Sequence, residues 1–586
     1  MRISILIILL VYMSPMVPSE EGKTNDTENK KSGEKEEIKE MILLGNSDDD
    51  DDDDGNIMPS TSPKRPLVTY GNLTAMEDRY HPLLDEDVIV KNIDVSSKYY
   101  NRNGGGVVWD KLNILTAGKK GPLMMEDSLF LEEVNHFVRE RISERVVHAK
   151  GAGAFGYFES SNHHITAYTK AGLFSKPGKR TKIAVRFSTV VGGAGSADTV
   201  RDPRGFAIKF YTDEGNFDMM MLNFPVFFVR DPLRFLNMIH SQKKDPKSNL
   251  FNYDSFWDFL SLLPETLHAV SYLFTDLGTP DGYRHMHGFS VNTFKLVNQL
   301  EKVVFARFHV LTDQGIRNLT IDKATRLAGL NPDYAAEDLY KAIKSKKYPS
   351  WTIHFQIMTQ KQAKKWKHNP FDTTKLWPLK YFPLVEVGRI VLTHNPKNFF
   401  ADIEQLAFNP TNLVSGIEST TDKVLQGRLF AYNDAQTYRL GTNFYRMPVN
   451  QPFVSVVQSN VRDGAFCFDS NGGAGPNYYP NSFDNKKEDV TQRSSKWKLP
   501  SLVEVKRYDT TQDDNYSQVT KFWDNLPPAD QDHLVYNMAI HLSKAKSFIQ
   551  DRFLHHVKIA HHEYYRRLKE TLDFVKGHEL NSILIS

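Results

Sequence analysis

The chain has 586 residues, long enough for a large core with further domains attached. Apolar residues make up 40% and charged residues 25%, an ordinary globular balance. Lysine and arginine (73) barely exceed aspartate and glutamate (71), so bulk charge argues for neither a nucleic-acid nor a membrane partner.

Arg2 precedes a short apolar run over residues 3–13, then Ser14, Pro15 and Ser19. This order of charge, short apolar stretch and small residues predicts a secretory signal peptide over residues 1–19, too short to span a bilayer, and no membrane association after cleavage. Four N-x-[ST] sequons, at Asn25, Asn72, Asn318 and Asn515, fit export and glycosylation. Cys467 is the only cysteine, so no internal disulfide framework exists. Residues 20–64 carry seven consecutive aspartates and few apolar side chains, which predicts a disordered acidic tail. Residues 65–125 are polar, with Gly104, Gly105 and Gly106, and suit an arm lying on another surface.

Helical spacing over residues 125–145 places Leu129, Leu131, Val134, Phe137 and Ile142 together. Gly151, Gly153 and Gly156 then match G-x-G-x-x-G. A helix precedes that motif and aromatic residues follow it, the reverse of a dinucleotide site; small residues permitting close backbone approach in a β-protein is the better reading. Alternating segments at 183–189, 205–211, 302–310, 351–358 and 384–392 read as strands, with helical patches at 255–272 and 321–327. Many short strands with intervening helices predict an antiparallel barrel or sandwich in an α+β protein. Thr420, Thr421 and Asp422 offer caps for a helix from Lys423 that aligns Val424, Arg428 and Tyr432 on one face. Residues 519–575 read as a helical domain, and its histidines as a solvated face.

The stretch from Phe137 through His148 to Ala154 closely resembles the distal-histidine segment of the monofunctional haem catalases. Arg428-Leu429-Phe430-Ala431-Tyr432 resembles their proximal signature. Further likeness lies at Arg186–Val190, Asp198–Phe206, Thr312–Gly315, Tyr348–Trp351, Asn369–Asp372 and Glu404–Phe408. The resemblance implies an eight-stranded antiparallel β-barrel: an arm over 65–125, a distal helix and barrel over 126–394, a wrapping segment with the proximal helix over 395–510, and a C-terminal helical domain over 511–586. It implies haem b as cofactor, hydrogen peroxide as substrate and a homotetramer. His148 is then the distal acid–base, Ser188 its tautomer-fixing partner and Tyr432 the iron ligand. Arg145, Arg186 and Arg439 hold propionates, Arg428 supports the tyrosine, and Val147 and Phe235 wall the distal side. A neutral imidazole suits proton transfer between peroxide oxygens, and arginine can grip carboxylates bidentately.

Two departures stand out. Where the family carries a distal asparagine this chain has Leu222, with Asn223 one residue late; in a strand that slip sends the side chain to the opposite face unless residues 219–221 form a bulge. At positions lining the family's NADPH site, His268 and Trp377 remain, whereas Leu277 and Leu311 replace cationic residues and His287, Phe289 and Leu379 also differ. The expectation is a secreted haem catalase of reduced turnover without tight NADPH binding. Alternatives are a haem-binding protein of little activity and a peroxidase acting on small organic donors.

Overall fold

The computed structural model describes residues 108–585 apart from 109, 162, 453–458, 484–486, 497–502 and 512. The expected signal peptide, acidic tail and most of the arm, with Asn25 and Asn72, lie outside the described residues.

Eight strands close an antiparallel ring: β1 (Gly151–Ser160), β2 (Arg180–Ser188), β3 (Gly205–Thr212), β4 (Gly215–Leu222), β5 (Gly288–Phe289), β7 (Val303–Thr312), β8 (Ser350–Thr359) and β9 (Leu384–His394), which pairs back to β1. β6 (Phe294–Val297) continues β5 along β7 after a break at residues 290–293, and β10 (Ile417–Glu418) adds to β6. Alternation sends Phe187, Phe206, Met221, Phe308, Val310 and Ile353 into the barrel core. Their neighbours form a cross-strand row on the outer face: Ser188, Gly205, Leu222, Phe289, His309 and His354 are successive partners.

The glycine motif is explained by this packing. A Cβ on Gly156 would fall 1.9 Å from the Val391 carbonyl of β9, and one on Gly153 would fall 2.5 Å from the Ile403 side chain. β1 therefore runs so close to its neighbours that only glycine fits.

The helix expected over 125–145 is α1 (Ser128–Phe137) alone. It is followed by irregular chain through Lys150, because Arg145 turns inward to bond carbonyls of residues 403–406. After α2 (Pro232–Gln242), the expected helix at 255–272 is broken into α3 (Tyr253–Leu262) and α4 (Leu267–Phe274). Pro264 forces Leu263 to extended geometry (φ −123°, ψ 91°). Helices α5 (Ile321–Leu330), α6 (Tyr334–Lys344) and α7 (Gln360–Lys365) decorate the second half of the barrel.

A second core joins α2–α4 to the C-terminal helices α9 (Ser517–Asn525), α10 (Pro528–Leu542), α11 (Ser547–Ala560) and α12 (His562–Ile585), around Trp257, Phe274, Met538, Phe553 and Tyr564. Trp523 stacks on Tyr564 with centroids 4.5 Å apart. Between barrel and helical domain runs α8 (Lys423–Leu440), which begins where its capping residues predict. One sequon is corrected here. Asn515 is 7% exposed, accepts from Arg230 Nη2 at 2.6 Å and donates to the Thr511 carbonyl at 3.2 Å, so the folded chain cannot present it to a glycan.

Candidate active site

His148 sits on the irregular chain before β1 with φ of +67°, a left-handed backbone uncommon for a residue with a Cβ. The residue is held at both ends. Its N–H donates to the Val190 carbonyl at 2.9 Å, and its own carbonyl accepts from Arg186 Nη1 at 2.9 Å. The Val190 loop is held in turn by the buried Asp202 carboxylate, which accepts from the Val190 and Val191 amides at 2.6 and 2.8 Å. Burial raises the Asp202 carboxyl to about 6.

The His148 ring meets the Ser188 hydroxyl through Nδ1 at 2.9 Å, which leaves Nε2 as the free ring nitrogen. Desolvation, then the nearby Arg186, Arg428 and Arg145 charges, lower His148 to about 3, so the ring is neutral at physiological pH. Gly205 makes the pair possible. A Cβ there would lie 2.5 Å from Ser188 Oγ and 2.6 Å from His148 Nδ1.

Leu222 is cross-strand to Gly205 and therefore shares the face of Ser188. The β3–β4 register runs without interruption from Thr212↔Gly215 to Gly205↔Leu222, so no bulge moves Asn223 into the pocket. Asn223 is committed elsewhere: Oδ1 accepts from the Arg204 amide at 2.7 Å and Nδ2 donates to the Leu277 carbonyl at 2.9 Å. Phe235, on α2, lies 5.8 Å from Phe227, and Val147 packs on the same cluster.

Helix α8 supplies the other side. Asp422 caps it, accepting from the Leu425 amide at 3.1 Å. One turn apart, Arg428 Nη2 donates to the Tyr432 oxygen at 3.0 Å. Arg428 also donates through Nη1 to Asn292 Oδ1, and Asn292 Nδ2 donates to Asp422 Oδ2 at 2.8 Å. A continuous hydrogen-bonded chain thus runs from Tyr432 to the helix cap. Arg428 Nη2 also reaches the Met220 carbonyl of β4 at 3.4 Å, two residues before Leu222, so the tyrosine helix and the histidine-side strands border one site.

The expected propionate arginines divide in two. Arg145 and Arg439 converge on Glu404, at 3.1 and 3.5 Å from its carboxylate, and both also bond main-chain carbonyls there. Arg186 instead braces the His148 and Ala149 carbonyls, and its buried Nε has no hydrogen-bond partner. Burial lowers all three, Arg439 to about 9, and the Arg145 charge adds to the effect on Arg186 and Arg439. Three guanidiniums against one carboxylate leave two positive charges, and a haem carries two propionates. That balance, the orphaned Arg186 Nε and the phenol–guanidinium pair fit this group.

Sequence reasoning assigned no role to Gly205, Asn292 or Glu404. The Glu404 segment belonged to a motif, but only the three-dimensional arrangement sets it between two arginines on a π-helical turn (Phe400–Glu404). Asn292 lies in the break between β5 and β6, beside Val291 with φ of +59°, and carries no sequence signal. Among the described residues, no cluster of three or more histidine, cysteine or acidic side chains could hold a metal ion by itself.

A closed antiparallel barrel with a neutral histidine, an arginine-backed helical tyrosine and surplus buried guanidiniums defines an oxidoreductase scaffold suited to a dianionic prosthetic group. Residues 101–485 match the family described as Catalase, and residues 509–572 match Catalase-related immune-responsive. The chain is 50% identical over 501 residues to a catalase of Glandirana rugosa, covering 85% of this chain and 94% of that one. It is 52% identical over 472 residues to a catalase of Danio rerio, covering 80% and 89%. The structure resembles catalase A from Saccharomyces cerevisiae with a TM-score of 0.79 and 42% identity, covering 81% of this chain and 99% of the other. The chain belongs to the catalase family.

Proposed function

We propose that the protein is a haem catalase that decomposes hydrogen peroxide to water and oxygen with reduced turnover. The observation that carries this reading is the His148–Ser188 pair, desolvated and neutral, facing the site that Arg428 and Tyr432 address from α8. Haem, when bound, would supply a metal centre that gives two electrons to one peroxide, which leaves as water, and recovers them from the next, which leaves as oxygen. Tyr432 would ligate it through the phenol oxygen, and Arg145, Arg186 and Arg439 would hold its propionates.

The protein's own chemistry is proton handling. His148 Nε2 accepts a proton from one peroxide oxygen and returns it to the other, so that the bond between them breaks with water as the leaving group. Ser188 fixes the ring orientation through Nδ1. Arg428 places positive charge on the phenol oxygen and is itself held by Asn292. Leu222 gives the second peroxide oxygen no hydrogen bond, a loss of roughly 1–3 kcal/mol in a dry pocket. Felt in the transition state, this slows turnover roughly 5- to 150-fold.

The same reading takes the protein as secreted, glycosylated and homotetrameric, acting in the oxidative stress response without a nucleic-acid partner. It is supported by the signal-like N-terminus and family membership, with Asn318 the remaining sequon among the described residues. It includes no tight NADPH site, since Leu277 and Leu311 offer no charge to a 2′-phosphate. Oxygen evolution per haem tests the proposal. The wild-type protein should release oxygen, and Leu222→Asn should raise its rate roughly 5- to 150-fold. No gain in the variant would remove the reduced-turnover reading, and no oxygen from either would remove catalase activity.

A further inference from the structure

The outer-face row that carries Ser188 does not end at Leu222. Leu222 pairs with Phe289 of β5, so the two side chains lie next to each other on the outer face of the barrel; Leu222 continues the Ser188 row, and Phe289 backs it from the side that borders the family's NADPH positions. Phe289 is held in turn by His287 and His309, whose rings meet it edge-on at 5.9 and 5.3 Å. The wall beyond Gly205 is therefore apolar and braced from behind. The adjacent amide, Asn223, has both ends committed to Arg204 and Leu277, and the Ser188 hydroxyl is occupied by His148. Val147 and Phe235 add no polar group.

We propose that Leu222 and Phe289 are specificity-determining residues that favour hydroperoxides bearing a small alkyl group, reduced at the expense of phenolic donors. This rests on the haem-catalase reading above. Hydrogen peroxide has hydroxyl groups at both ends and leaves one unmatched against Leu222. An alkyl hydroperoxide keeps the end that His148 serves and presents hydrocarbon to the wall. In the reaction the O–O bond breaks. His148 carries the hydroperoxide proton from the terminal oxygen to the alkoxy oxygen, which leaves as the alcohol. Two phenols each give one electron and one proton, and the terminal oxygen leaves as water. One hydroperoxide and two phenols thus yield one alcohol, one water and two phenoxyl radicals.

The test uses the haem-loaded full chain and tert-butyl alcohol, a non-reacting mimic of the alkyl end, titrated through the haem Soret band. Leu222→Asn should weaken that binding roughly tenfold, the scale of one apolar group in a pocket. It should shift the ratio of tert-butyl hydroperoxide consumption, measured with a methoxyphenol donor, to oxygen release from hydrogen peroxide in the same direction. Phe289→Ala keeps Leu222 but removes its support, and should weaken alcohol binding several-fold. Unchanged alcohol affinity in both variants, with oxygen still released, overturns the selectivity alone. No oxygen from wild type or Leu222→Asn overturns the catalase reading and this inference with it.

Discussion

The two sides of the site are built by opposite means. On the histidine side, geometry comes from strands. Register fixes Ser188, Gly205 and Leu222 in a row, and the decisive feature is a missing side chain: the gap at Gly205 lets the hydroxyl and the imidazole meet. On the tyrosine side, geometry comes from one helix and a chain of polar bonds from Tyr432 through Arg428 and Asn292 to the Asp422 cap. The first side is shaped by excluded volume and burial, the second by charge-assisted hydrogen bonds. They should therefore fail differently.

The largest effect falls on the tyrosine side. Tyr432→Phe removes the phenol oxygen that Arg428 serves, so haem retention after gel filtration should collapse and oxygen evolution should drop more than about 100-fold. Retained haem with ordinary activity would mean that another residue ligates. Next comes Gly205→Ala, which pushes a methyl into the His148–Ser188 contact. Haem content should remain while turnover falls roughly 100-fold, the scale of an ångström-sized displacement of a catalytic group. A variant that lost haem and activity together would blur the separation between the two sides.

Asn292→Ala sharpens the comparison at lower cost. It releases Arg428 without touching the histidine, so turnover should fall roughly tenfold and the visible charge-transfer band of the haem should shift. An unchanged spectrum would reduce Asn292 to a packing residue. The smallest effect concerns pH. Because His148 is lowered to about 3, oxygen evolution between pH 7 and pH 5 should change by less than about twofold on its account. The same shift ties folding to pH. Between the unfolded value near 6.5 and about 3, the unfolded chain binds the extra proton. The ring's contribution is thus fully present above pH 6.5 and is lost as pH falls toward 3. Oxygen evolution that halved around pH 6 while the protein stayed folded would contradict the desolvated histidine.

Legibility in the sequence followed the same divide. Helix α8 was readable because its caps and the i, i+4 spacing of Arg428 and Tyr432 are local, and the structure starts the helix at Lys423. The alternating strands were readable within a few residues at their ends. Strand β1 was harder: its glycines imitate a nucleotide motif, and only contact with β9 and Ile403 shows why they are needed. Helix α1 was read too long because apolar spacing continued past the point where Arg145 is drawn to residues 403–406.

By itself the sequence determined the family, the α+β character and the residue types at the site, because these reside in local spacing and in motifs of unbroken order. Tertiary structure alone decided that Asn223 cannot take the place of Leu222, that Gly205 must stay bare, and that Asn292 and Glu404 join the site. Each of these depends on partners brought together by barrel closure, across 19 residues for Asn223 and Arg204 and 136 for Asn292 and Arg428. Short-range pattern has no access to separations of that size; the register of a closed sheet does.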